Sequence, residues 1–253
     1  MKDFMTEHYK LNDVFNCDLR GMKLVEIPWL EIQLQEQTEE SDILIIGERA
    51  ANDGITQAAL KNPFNSITAT DIMSSPENSH LSKLTKNVDC IEFVQADFVS
   101  YDYAKKFDYI VCINVLEHFG MNFSQQSMFD GELAEDDYIR WNHDLRALNK
   151  MMSLLKDGSE SKIIITVPAG QPILSGDIDI NNDMPFIRRY DVRRIKIIER
   201  LVNEFGKNIN NEFFFSKDFV EWFEADESIT HPNSISYNNP HSPNICWAFT
   251  ITN

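Results

Sequence analysis

The chain has 253 residues, 43% hydrophobic and 25% charged, enough to bury a substantial core in one large α/β domain. Its net charge of −17 repels phosphate backbones and anionic headgroups, whose binding rests on Lys and Arg, so nucleic acid and acidic membranes are excluded as partners. No stretch reaches the roughly 18–20 uninterrupted apolar residues of a membrane span. The run Met1-Lys2-Asp3-Phe4 lacks the charged-then-apolar order of a secretion signal, so a cytoplasmic location is expected.

Residues 1–40 read as a helical lead-in broken at Pro28, and the acidic run Glu39-Glu40-Ser41-Asp42 opens the main domain, residues 41–253. Short β-branched or aromatic runs predict strands at 42–46, 66–71, 90–95, 107–113 and 162–168, each suited to a parallel sheet buried on both faces. Helices are expected between them, near 54–61, 80–86 and 100–105. The clearest helix precedes the fifth strand, where Tyr138, Trp141, Leu145, Leu148, Met152 and Leu155 recur at steps of three and four, and Lys156-Asp157-Gly158 supplies its stop. A Gly-, Pro-, Asp- and Asn-rich loop runs on to about residue 189. An amphipathic helix on Ile195, Ile198, Leu201, Val202 and Phe205 then ends near Gly206. Glu212–Phe215 and Cys246–Ile251 close the sheet as an antiparallel pair. The fold expected is a doubly wound, Rossmann-like mixed sheet of seven strands, with ligands at the carboxyl ends of the strands. Cys17, Cys90, Cys112 and Cys246 have no paired spacing and read as free thiols.

Those carboxyl ends hold the chemistry. The strand Ile43–Ile46 runs into Gly47, which lets a ligand approach the backbone with no Cβ in the way, and Gly54 could act likewise at the next helix. The second strand ends in Asp71, a carboxylate about 20 residues beyond that glycine, where nucleoside-binding sheets grip ribose hydroxyls. Asp97 and Phe98 end the third strand, a carboxylate for an exocyclic amine beside a ring to cover a base. The fourth strand delivers a polar cluster, Asn114-Val115-Leu116-Glu117-His118, from an apolar run.

In this order the glycine loop, Asp71, Asp97, Phe107–Val111 leading into Asn114–His118, and Leu154–Gly158 before Ile163–Pro168 resemble the motif series of class I S-adenosylmethionine-dependent methyltransferases. The likeness spans about residues 42–170. The stretch from Phe119 to Asp144 resembles a branch found with polysaccharide and sugar tailoring genes. Family members usually carry an acidic residue two positions before the first glycine and two more glycines after it, where this chain has Ile45, Arg49 and Ala51. Some relatives show a pattern that Gly47, Arg49, Asn52 and Gly54 match. The resemblance implies S-adenosyl-L-methionine as cofactor, with Gly47, Glu48 and Arg49 at its methionine end and Asp71 and Ile72 at the ribose. It further implies Asp97 and Phe98 at the adenine and the Asn114 backbone near the sulfonium. His118 is the first candidate base, with His143, His231 and His241 behind it and Tyr190 after them.

Arg188, Arg189, Arg193 and Arg194 fall within seven residues after the fifth strand, with Tyr190 among them. Arg188, Arg189 and Tyr190 are read as binding a small anionic acceptor such as a phosphorylated or nucleotide-linked sugar. The alternative is ion pairing with Asp191, Glu199 and Glu204 on the helix face. The expected reaction is methyl transfer to an oxygen. A nicotinamide-dependent oxidoreductase or epimerase and an inactive partner subunit are the rival readings, and assembly as a homo-oligomer stays open.

Overall fold

A computed structural model describes residues 22–35, 41–47, 54–62, 64–72, 90–120, 142–170, 188–217, 221–231 and 245–253. These residues form α1 (Lys23–Gln35), β1 (Ser41–Ile46), α2 (Gly54–Leu60), β2 (Phe64–Asp71), β3 (Ile91–Gln95) and β4 (Tyr109–Ile113). They continue with α3 (His143–Leu154), β5 (Lys162–Pro168), α4 (Val192–Glu204), β6 (Asn208–Phe215), β7 (Phe223–Ala225) and β8 (Ile245–Thr252). The strands make one 8-stranded sheet in the order β3-β2-β1-β4-β5-β8-β6-β7. β1 to β5 are parallel, and β8 lies antiparallel between β5 and β6. The chain works outward from β1 to β3 and then crosses back to β4. The crevice between the carboxyl ends of β1 and β4 is therefore the switch point where such sheets receive ligands.

The fold follows from the pattern of apolar residues. β4 is buried at every position, as a central parallel strand covered on both faces must be. β3, at the sheet edge, alternates buried Ile91 with exposed Glu92 and Gln95. α4 presents Ile195, Ile198 and Val202 to the core, while Phe205 is exposed beyond its end, where Gly206 turns with φ +69°. Cys112 and Cys246 are buried free thiols and Cys90 is half-buried.

Four expectations change. The sheet has an eighth strand, β7, whose Phe223 faces Phe215 of β6; three residues are too few to show a period in sequence. Pro28 lies inside α1 and does not break it. Burial of Leu24, Val25, Ile27, Trp29, Leu30 and Leu34 outweighs the cost of about 3 kcal/mol for an interior proline. Residues 100–105 form no helix: the Lys150 ammonium takes the carbonyls of Val99 (3.0 Å) and Tyr101, which a helical ladder would otherwise use. α3 ends because Leu155 turns extended and bridges Phe107, and Gly158 has no positive φ. The helix expected at 80–86, Tyr138, Trp141 and most of the loop after β5 lie outside the described residues.

The amino ends of the strands are pinned by compensated charge. Asp42 accepts from Ser66 (2.5 Å), Lys156 (3.1 Å) and Lys105 (3.2 Å), and Asp108 accepts from the Asp42 amide (2.9 Å) and from Lys156 (2.7 Å). Burial alone would raise the Asp42 pKa; the hydrogen bonds from Ser66, Lys156 and Lys105 outweigh it and hold the carboxyl well below the usual range.

Candidate functional site

Among the described residues, Gly47, Asp71, Asp97 and Asn114 lie at the carboxyl edge of the sheet. Asp71 pairs in register with Gln95, and the Ala96 amide donates to the Asp71 carbonyl at 2.9 Å, so Asp71 and Asp97 share one corner on adjoining strands. Asp71 is buried, while its neighbour Ile72 is 45% exposed, an apolar side chain left open at the ligand-binding edge. The Asp97 carboxylate accepts from the Val99 amide (3.0 Å) and the Ser100 hydroxyl (2.9 Å), which fixes the turn and leaves each oxygen a further lone pair. Phe98 is buried, edge-on to Phe119 at 6.1 Å and tilted against Tyr103.

Gly47 sits in the left-handed region (φ +75°), its amide donating to the Thr70 carbonyl at 2.8 Å. A Cβ there would fall 2.6 Å from Val115 Cγ1 and closer still to Cγ2, so no other residue fits. The bare backbone brings the end of β1 against the segment leaving β4. Asn114 in that segment has φ +56°, the one non-glycine positive φ among the described residues. Asparagine tolerates this conformation better than most residues, and such strain gathers at ligand clamps. The Asn114 amide is held by the Thr166 carbonyl (3.0 Å) and hydroxyl (3.2 Å) of β5. Glu48 and Arg49 lie outside the described residues.

The Asn114 site leads directly to a buried charge cluster that the sequence does not reveal. The Thr166 hydroxyl donates to Glu26 of α1 (2.8 Å), and Lys23 Nζ stands 3.4 Å from the other Glu26 oxygen. Leu116–His118 forms a 3₁₀ turn that buries Glu117 to 1% exposure, with neither carboxylate oxygen in a hydrogen bond among the described residues. Burial drives the Glu117 pKa well above the usual carboxylate value, and Glu26 adds to this; its own amide, Lys23 and Arg188 pull the other way. His118 Nε2 lies 3.9 Å from Glu117 Oε1, with its side chain 15% exposed.

Arg188 and Arg189 do reach this edge, and both are buried. The Arg188 amide donates to the Glu117 carbonyl (3.3 Å), while its Nη1 meets Asp144 (2.9 Å) and the Phe119 carbonyl (3.3 Å). Its Nη2 is buried with no hydrogen-bond partner among the described residues. Burial lowers the Arg189 pKa. Tyr190 is fully buried and donates to Asp144 at 3.1 Å. Arg194 also pairs with Asp144, through Nη2 and through Nε (3.3 Å). Arg188 and Arg194 of this group thus pair with Asp144 of α3, which is fully buried. Asp191 instead caps α4 by accepting from the Arg194 amide (2.9 Å).

Residues 49–129, from the loop after β1 past β4, match a family model described as a methyltransferase domain. That stretch is similar to the methyltransferase domain over about a third of the chain. No curated protein matches it by sequence. Among solved structures it resembles the N-methyltransferase NodS from Bradyrhizobium japonicum WM9 in complex with S-adenosyl-L-homocysteine, at TM-score 0.54 and 12% identity over 100% of this chain and 99% of that one. A 1,6-didemethyltoxoflavin-N1-methyltransferase from Burkholderia thailandensis, with its acceptor and S-adenosylhomocysteine bound, gives TM-score 0.54 and 12% identity over 98% of this chain and 84% of that one. An O-methyltransferase family protein from Burkholderia thailandensis gives TM-score 0.50 and 11% identity over 97% of this chain and 58% of that one. The chain therefore has the Rossmann-like fold that these structures share, with an antiparallel strand pair closing its sheet. No helix among the described residues is long and apolar enough to cross a membrane.

Proposed function

We propose that the protein transfers a methyl group from S-adenosyl-L-methionine to an oxygen of a small anionic acceptor, such as a phosphorylated or nucleotide-linked sugar or a polysaccharide precursor. The shared corner of Asp71 and Asp97 carries this reading, because two carboxylates on adjoining strand tips match the ribose and the exocyclic amine of one adenosine. The residues fit the cofactor in other ways as well. Gly47 supplies bare backbone for its methionine end, with Glu48 and Arg49 following. Ile72 offers apolar surface beside the ribose, and Phe98 stands behind the adenine. The strained backbone of Asn114 would lie near the sulfonium.

The bound cofactor supplies an electrophilic methyl group, and the protein's work is to align the acceptor, exclude water and remove a proton. His118 is the base through which that proton leaves. Arg188 and Arg189 face the acceptor's anionic group, Arg188 through the Nη2 that Asp144 leaves spare, and Tyr190 braces Asp144 from behind. Calorimetry with S-adenosylhomocysteine and NAD tests the cofactor: binding of the first is expected, and binding of NAD alone would replace the methyltransferase with an oxidoreductase.

A further inference from the structure

Four charged side chains at the carboxyl ends of β4 and β5 hold buried polar atoms with no hydrogen-bond partner among the described residues: Lys23 and Glu26 on α1, Glu117 on the 3₁₀ turn, and Arg188 beyond β5. Packing does not explain Glu117. A carboxyl group taken out of water with both oxygens unbonded costs the protein stability and specifies no contact. Its neighbour Arg188 holds a spare donor, Nη2, and is joined to Glu117 through the backbone. Glu117 thus offers acceptor oxygens and Arg188 a donor nitrogen, each without a hydrogen-bond partner among the described residues, on two segments joined by a backbone hydrogen bond just after the strained Asn114.

Resting on the methyltransferase reading above, we propose that Glu117 binds the methyl acceptor, with its carboxylate holding the nucleophilic hydroxyl while Arg188 Nη2 holds a neighbouring oxygen of the same molecule. The acceptor class that satisfies both is a hydroxyl adjacent to an anionic or carbonyl oxygen. In the transfer, a lone pair of the acceptor oxygen forms the new C–O bond as the S–C bond breaks and its pair stays on sulfur. The acceptor's proton passes to the Glu117 carboxylate and then, through His118 at 3.9 Å, toward solvent.

The charged and titratable groups that act on Glu117 are Glu26 and Lys23 from α1, Arg188 from the segment after β5, and His118 beside it on its own turn. Cys112 of β4, Cys246 of β8 and Tyr190 feel its charge and are themselves held neutral by burial. Because folding raises the Glu117 pKa, its ionisation weakens the fold as pH climbs above the ordinary value of 4.5, up to the raised folded value. Removing the charge should then stabilise the protein, which a structural carboxylate would not do.

The test compares wild type with Glu117→Gln and Glu117→Asp. Glu117→Gln is expected to raise Tm by about 2 °C or more, by a larger margin at pH 8 than at pH 5. Its affinity for S-adenosylhomocysteine should stay within about twofold of wild type. With radiolabelled S-adenosylmethionine and glucose 6-phosphate or UDP-glucose as acceptor probes, Glu117→Gln should lose about 100-fold or more in kcat/KM, and Glu117→Asp should recover part of it. A lowered Tm for Glu117→Gln assigns the residue to the fold, and a fall of more than about fivefold in S-adenosylhomocysteine affinity assigns it to the cofactor; either result overturns the proposal. Wild type that binds S-adenosylhomocysteine but methylates neither probe overturns the acceptor class, while wild type that binds no S-adenosylhomocysteine overturns the underlying reading instead.

Discussion

The two ends of the parallel strands treat charge in opposite ways. At the amino end, Asp42, Asp108, Lys105 and Lys156 are partly open to water and each finds a partner of opposite sign. At the carboxyl end, Lys23, Glu26, Glu117 and Arg188 each keep at least one buried polar atom without a hydrogen bond among the described residues. Exposed, paired charge contributes modestly to stability and asks nothing of a ligand. Buried, partly unpaired charge costs stability, and a fold retains it where something else supplies the missing partner.

Substitutions at the two ends should separate these roles. The largest effect is expected for Asp144→Ala, which leaves the buried Arg188 and the half-buried Arg194 without their counter-charge and should cost about 3–5 kcal/mol in urea unfolding. If it costs under about 1 kcal/mol, water must reach those guanidinium groups and the carboxyl end is not buried as described. Gly47→Ala forces a Cβ into Val115 at a positive φ, and a loss of about 2–3 kcal/mol is expected. Adding Val115→Ala should recover the steric part and leave the conformational part.

Asp71→Ala should weaken S-adenosylhomocysteine binding by about 10- to 100-fold in calorimetry, the range for losing a charged hydrogen-bond acceptor. Unchanged binding would remove the ribose from this corner. At the other end, Asp42→Asn should cost about 1 kcal/mol at neutral pH. The folded pKa of Asp42 is depressed, so its contribution is complete above the ordinary value of 3.8 and is lost as pH falls below it. Acid titration of the asparagine variant should accordingly show a shallower decline than wild type. The smallest change, below about 0.5 kcal/mol, is expected for Lys105→Ala, whose side chain is 43% exposed.

The parallel half of the sheet was readable because its strands carry continuous β-branched runs, and strand tips inherit their positions from the strands. Asp71, Asp97 and Asn114 thus arrive at one edge as expected. What escaped is whatever depends on contacts distant in sequence. Asp144 is one charge on a helix face until Arg188 and Arg194, some 44 and 50 residues on, fold against it. Glu117 stands between Leu116 and His118 in a motif that was already conspicuous, yet its burial without a hydrogen bond among the described residues exists only in the folded chain. Pro28 and the extended run at 100–105 show the same limit from the other side. Local preference was overruled in one case by burial of a whole helix and in the other by a single lysine that satisfies two carbonyls.

The position of β8 has a consequence for how the molecule is made. The strand latest in sequence fills the gap between β5 and β6, so both present bare hydrogen-bonding edges until residues 245–252 have left the ribosome. Nascent chains stopped short of Ile245 carry two open edges and the unburied partners of Trp247 and Phe249, the conditions for sticking to one another. The sheet can therefore close only once residues 245–252 are free to enter it.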